Sequence, residues 1–161
     1  MTGNMSYRGT EHRLSLYSWF RDFARDAMKV LSMLSENEIS GDIVDVAIKL
    51  HQKLGPGLLE SAYEMILAAE LARRGHKVER QVPISFAYDG MQFKDAFRVD
   101  LIVDGEIVVE LKATEQKNPV FPKQLKTYLV LMDKHLGLLL NFGQAKMVDG
   151  IERIVNGYER Y

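Results

Sequence analysis

Phe97-Arg98-Val99-Asp100-Leu101-Ile102-Val103 and Ile107-Val108-Val109-Glu110-Leu111-Lys112, joined by Asp104-Gly105-Glu106, decide how this chain folds. Both runs are apolar enough to be buried strands, yet Asp100, Glu110 and Lys112 interrupt them. A charge in a buried sheet is costly unless it is paired or bound to a cation. Side chains alternate along a strand, so Glu110 and Lys112 share a face. A two-residue turn at Asp104-Gly105 would pair Asp100 with Val109 and leave Asp100 facing away from Glu110. A three-residue loop, Asp104-Gly105-Glu106, pairs Val103 with Ile107 and Asp100 with Glu110. That second register sorts Val99, Leu101, Val103, Ile107, Val109 and Leu111 onto one apolar face. Asp100, Glu110 and Lys112 then lie together on the other, with Ile102 and Val108. A half-buried sheet favours the register that sorts its faces, so the three-residue loop is expected.

Two acids and a lysine brought together in this way meet the needs of metal-dependent phosphodiester hydrolysis. The acids hold a divalent ion, and the lysine steers water or steadies the phosphate. The same alternation also fits a solvent-facing row of charges with an ordinary ion pair.

The 161 residues suit one domain with a sizeable core. With 47% apolar and 27% charged residues the composition is that of a globular protein. The net charge of -1 gives no global basic field, so any contact with nucleic acid must come from a local patch. The absence of cysteine excludes disulfides, thiolate chemistry and cysteine-ligated zinc, and is consistent with a cytoplasmic location. His12, His51, His76 and His135 show no metalloprotease-like spacing. No apolar run is long enough to span a bilayer. Arg21, Asp22, Arg25 and Asp26 break up the N-terminal hydrophobic stretch, so no secretory signal is expected.

Residues 1–35 read as an extension. A polar, turn-like stretch over 1–11 precedes Trp19, Phe20, Phe23, Ala27, Val30 and Leu31 at helical spacing. This is an amphipathic helix, or a segment upstream of a start near Met28 or Met33. The main domain is expected over 36–161. Ser40 is a candidate N-cap for a helix over 41–54, broken by Gly55-Pro56-Gly57. A second helix is expected over 58–74, with Leu59, Ala62, Tyr63, Ile66, Leu67 and Leu71 as its stripe and Gly75 beyond its end. Strands are expected over 78–88, 92–103 and 107–113. Pro122 then opens a helix to about residue 134. A buried strand over 136–142 and an edge strand within 148–156 complete the order.

Other residues are suited to chemistry. Glu60 sits in the first turn of the second helix, where an acid is also favourable for the helix dipole alone. Tyr63 lies one turn on and fits a plain core role. Gln124 and Tyr128 share a helix face and could orient water and contact phosphate, or form a polar helix edge. From 112 to 134 five lysines (112, 117, 123, 126 and 134) face only Glu115 and Asp133. That stretch is a solvated surface or a phosphate-binding patch. His51 fits a structural histidine or a ligand, and Asn141 is a polar residue in an apolar strand.

In order, these residues resemble a known family. Gly57-Leu58-Leu59-Glu60-Ser61-Ala62-Tyr63 is followed by Arg98-Val99-Asp100, Glu110-Leu111-Lys112 and Gln124-x-x-x-Tyr128. The pattern, over about residues 36–157, is similar to the GxxExxY family, a bacterial and archaeal group of PD-(D/E)XK nucleases. The resemblance implies an α/β (α+β), restriction-endonuclease-like α-β-β-β-α-β core, with a mixed central sheet flanked by helices. It implies a metal-dependent nuclease acting on DNA, with RNA left open. Asp100 and Glu110 would bind Mg²⁺ or Mn²⁺ with the Leu111 carbonyl and Glu60. Lys112 would orient or deprotonate water, and Gln124 and Tyr128 would position water and phosphate. Lys117, Lys123, Lys126 and Tyr128 are the expected nucleic-acid contacts. His51 is a candidate match to a metal-binding histidine of related repair nucleases, and Tyr63 a further site candidate. The rival reading is a non-catalytic nucleic-acid-binding or protein-interaction module on the same scaffold.

Overall fold

The computed structural model describes residues 10–157, with side chains described at 18–28 and 35–157. Of the turn-like stretch expected over 1–11, residues 1–9 lie outside the described residues, as do the side chains of Val30 and Leu31, while Thr10 and Glu11 are already helical. The chain divides into two compact units between Ser35 and Glu36. In the first, Trp19, Phe20 and Phe23 are exposed, and the Trp19 ring contacts Phe20 at 5.1 Å and Phe23 at 5.5 Å.

Helix α1 runs Thr10–Leu54 and α2 Glu60–Arg73. Strands β1 (Val78–Tyr88), β2 (Met91–Val103) and β3 (Ile107–Lys112) form a meander. Helix α3 (Val120–Leu131) then carries the chain to β4 (Leu136–Asn141), which pairs parallel to β3. A 3₁₀ turn at Met147–Gly150 leads to antiparallel β5 (Ile151–Val155). The sheet order is β1-β2-β3-β4-β5, a mixed sheet with one parallel step. This is an α+β, restriction-endonuclease-like fold. Among the described residues no helix is long and apolar enough to cross a membrane.

One face of the sheet packs on α1 and α2 through Ile43, Ala47, Tyr63, Leu67 and Leu71. The other packs on α3 through Leu125 and Leu129. The decisive register is the expected one: Val103 pairs with Ile107 and Leu101 with Val109. The loop is three residues long, with Asp104 and Gly105 left-handed and the Glu106 N–H donating to the Val103 carbonyl at 3.0 Å. Leu101, Val103, Ile107, Val109 and Leu111 line the α1/α2 face. Ile102 and Val108 line the α3 face.

Val99 departs from this sorting and packs with the α3 layer. The cause lies opposite Asp100, where Gln81 has φ 50 and the β1–β2 ladder skips the Gln81–Asp100 pair. Beyond Leu101 the β2–β3 ladder also stops, and the Leu111 N–H donates to Asp100 Oδ2 at 2.8 Å instead.

Other boundaries also differ. Ser40 caps nothing: it lies inside α1, and its hydroxyl donates back to the Asn37 carbonyl at 3.1 Å. Residues 32–40 contain neither Pro nor Gly, so nothing stops the helix there. Helix α3 starts before Pro122 because Asn118 Oδ1 accepts the Val120 N–H at 2.9 Å. Pro122 sits in the first turn, where a missing N–H costs nothing. The helix ends before Lys134 because Asp133 turns left-handed. Leu59, expected in the α2 stripe, is exposed at its N-cap.

Candidate active site

The site forms where β2 and β3 splay apart at the C-terminal end of β3. Buried Glu110 projects there from β3, and its Oε1 accepts a hydrogen bond from Lys112 Nζ at 2.8 Å. Glu110 Oε2 is buried and has no hydrogen-bond partner among the described residues. Burial pushes the Glu110 carboxyl up to about 6, and the charge of Asp100 adds to the shift. Asp100 is held on both sides: Oδ2 by the Leu111 N–H and Oδ1 by Gln81 Nε2 at 3.2 Å. Burial raises its pKa too, against the opposing Leu111 hydrogen bond. Burial alone would lower the Lys112 pKa, but the hydrogen bond and charge of Glu110, with Glu60 and Asp100, hold it above its ordinary value.

Glu60 stands at the start of α2, half-buried, with its pKa raised first by burial. Lys112 and an Ala113 backbone hydrogen bond oppose that rise. Its position follows from Tyr63. The Tyr63 hydroxyl accepts from the Gly57 N–H at 2.9 Å and the Leu58 N–H at 3.1 Å, and donates to the Gly55 carbonyl. One buried phenol thus fastens the Gly-Pro-Gly break to the helix that carries Glu60. The Tyr63 ring stacks on Phe142 at 4.3 Å. Tyr63 is core, and its service to the site is indirect.

From α3, Gln124 Nε2 donates to the Tyr128 hydroxyl at 2.7 Å, and the Tyr128 ring stacks on Phe97 of β2 at 4.2 Å. Burial and the charge of Glu110 raise the Tyr128 pKa, so its hydroxyl keeps its proton. Lys112 Nζ lies 5.3 Å from the Phe121 ring centre.

Four expected residues are engaged elsewhere or stand apart. His51 Nε2 bonds to the Gln144 carbonyl at 2.9 Å and makes no hydrogen bond to Asp100 or Glu110. Lys126 Nζ donates to the Val155 carbonyl at 2.6 Å and to Asn156 Oδ1 at 3.1 Å, so its charge closes the end of β5. Lys117 and Lys123 are exposed. Among the described residues no three His, Cys, Asp or Glu side chains group closely enough to hold a metal ion unaided. The two strand acids fit a divalent cation nonetheless, because Glu110 Oε2 is left buried without a partner among the described residues, in a carboxyl that feels the charges of Asp100 and Lys112.

Three residues have no motif to announce them. Glu64, 4% exposed on α2, accepts from Arg80 Nε at 2.9 Å and Gln81 Nε2 at 2.6 Å. The available signal was an acid at core spacing with Leu67, Ala68 and Leu71. Nothing in the sequence marked Arg80 or Gln81. Asn141 has a structural role: Oδ1 accepts the Thr114 N–H at 3.0 Å and Nδ2 donates to the Thr114 carbonyl at 2.9 Å. It thereby ties down the chain leaving Lys112.

The mixed sheet with its flanking helices is consistent with the fold of PD-(D/E)XK nucleases. The family model of the PD-(D/E)XK nuclease superfamily matches residues 37–154, and the chain belongs to that superfamily. Its members generally use divalent metals and act on nucleic acid. No curated protein matches the chain. Among solved structures it is similar to the crystal structure of SSO0001, with a TM-score of 0.41 and 20% identity, over 63% of this chain and 55% of that one. The chain therefore spans about half the length of that protein.

Proposed function

We propose that this chain is a Mg²⁺- or Mn²⁺-dependent nuclease of the GxxExxY group that hydrolyses phosphodiester bonds of DNA. The observation that carries the reading is the buried, unpartnered Glu110 Oε2 beside Asp100 and Lys112. Asp100, Glu110 and the Leu111 carbonyl are the residues that would hold the cation, with Glu60 behind them. A bound divalent ion supplies Lewis-acid polarisation of the phosphoryl group and activation of water.

The protein's own groups divide the remaining work. Lys112, kept as an ammonium by Glu110, orients water and steadies phosphate charge; its raised pKa disfavours a role in taking the proton. Tyr128, oriented by Gln124 and by stacking on Phe97, offers its hydroxyl proton to a phosphate oxygen. Exposed Lys117 and Lys123 supply the backbone-phosphate contacts. Lys126 is left out because its ammonium is spent on β5.

The test is a cleavage panel of single-stranded, duplex and branched DNA, and of RNA, with Mg²⁺ or Mn²⁺. Metal-dependent cleavage that disappears in Glu110→Ala and Lys112→Ala is expected. Binding without turnover, equal in parent and variants, would favour a non-catalytic module instead.

A further inference from the structure

Among the described residues, Gln81 is the one side chain that hydrogen-bonds to both Glu64 and Asp100. Its Nε2 donates to Glu64 Oε2 at 2.6 Å and to Asp100 Oδ1 at 3.2 Å. Its backbone is left-handed at φ 50, and its carbonyl is held by Arg98 Nη1 at 2.9 Å. A non-glycine residue keeps such a conformation inside a strand only when its surroundings over-determine it. Here they do. Glu64 is almost wholly buried and fixed by Arg80, so the amide has a rigid anchor on α2.

The chemistry of the link is specific. Ionised carboxylates only accept, so the amide must turn its NH₂ group toward both partners. Glutamate at this position would add a third negative charge, and an apolar side chain would donate nothing. Asp100 is thereby gripped from two sides, by Gln81 on Oδ1 and by the Leu111 N–H on Oδ2. The grip comes at the point where both of its strand ladders are interrupted.

We propose that Gln81, anchored by Glu64, is the positioning residue that fixes the Asp100 carboxylate for cation binding. The cation-binding part rests on the nuclease reading above; the grip on Asp100 does not. Groups that orient a metal-binding carboxylate control affinity without touching the ion.

The test uses the full chain, with Gln81→Met, which keeps length and removes the donors, and Gln81→Gly, which also relieves the left-handed backbone. Glu79→Gln, an exposed neighbour on β1, is the control. Site-resolved amide exchange in the presence of EDTA reads the grip directly. In both variants the Leu111 amide should exchange about tenfold faster or more, while other β2 and β3 amides keep the parent's rates; a general loosening would speed them all. Mn²⁺ titration by calorimetry should show affinity weakened by about 10- to 100-fold in both variants and unchanged in the control. Unchanged Leu111 exchange overturns the inference, as does Mn²⁺ affinity within about twofold of a parent that binds. A parent that binds no Mn²⁺ while Leu111 exchange responds would sink the nuclease reading and leave the Gln81 grip standing.

Discussion

Glu110 is a buried carboxyl under energetic tension. One carboxylate oxygen has Lys112 and the other has no partner among the described residues, in a residue that is only 6% exposed. The sign of its effect on stability follows from the direction of its shift. A carboxyl whose folded pKa lies above its ordinary 4.5 helps the fold most below that value and loses the help as pH rises through about 6. The displacement corresponds to roughly 2 kcal/mol. Glu110→Gln cannot ionise and keeps an acceptor for Lys112. In EDTA, urea unfolding at about pH 4 and pH 7.5 should show the parent losing roughly 2 kcal/mol relative to that variant across the interval. A parent-to-variant difference that does not change with pH would show that Glu110 is stabilised as an ion without any cation.

At the scale of elements, the site is held by joints between neighbours. The Gly55-Pro56-Gly57 break, α2 and Phe142, just beyond β4, meet at Tyr63, whose hydroxyl serves three backbone groups. Tyr63→Phe keeps the stacking on Phe142 and leaves two N–H groups and a carbonyl short of partners. It should cost about 1–3 kcal/mol by denaturant melt. It should also loosen Glu60, seen as faster amide exchange at the start of α2. A variant as stable as the parent would mean that water replaces the phenol there.

Most elements were legible because each announces itself locally. The β2–β3 register follows from Leu101, Val103, Ile107 and Val109 being apolar in phase, which only one loop length satisfies. What was hidden depends on pairs distant in sequence. Val99 lands on the α3 side because of a left-handed residue on a different strand. Glu64 and Gln81 belong to the site only because α2 lies against β1. The run into α1 is hidden for a simpler reason. Ser40 favours an N-cap but is tolerated inside a helix, where its hydroxyl bonds back to Asn37, and only the absence of a breaker before it decides.

At the scale of the molecule, the two units set a boundary that can be tested. We propose that residues 36–161 fold alone. Their side chains close the core around α1 and α2, and Glu36 and Asn37 are tied within that unit to His135 and Arg153. A chain beginning at residue 33 should unfold cooperatively, within about 1 kcal/mol of the full chain. Loss of cooperative unfolding would place the Trp19, Phe20 and Phe23 cluster in the core.

The pivotal question is whether Asp100 and Glu110 form a cation site or an inert pair of buried acids. Burial raises the pKa of both carboxyls, and the charge of Asp100 adds to the shift of Glu110; a divalent ion relieves that strain, and an ion that binds only the native state raises its stability. A thermal melt of the parent and of Asp100→Asn, each with and without millimolar Mn²⁺, separates the two. The parent should gain ~2.7 kcal/mol at a hundred times the dissociation constant, read as a rise in melting temperature. Asp100→Asn should lose most of that response and be no less stable than the parent without metal. A parent that melts at the same temperature with and without Mn²⁺, together with an Asp100→Asn variant that is destabilised, would make these acids structural and contradict the metal site.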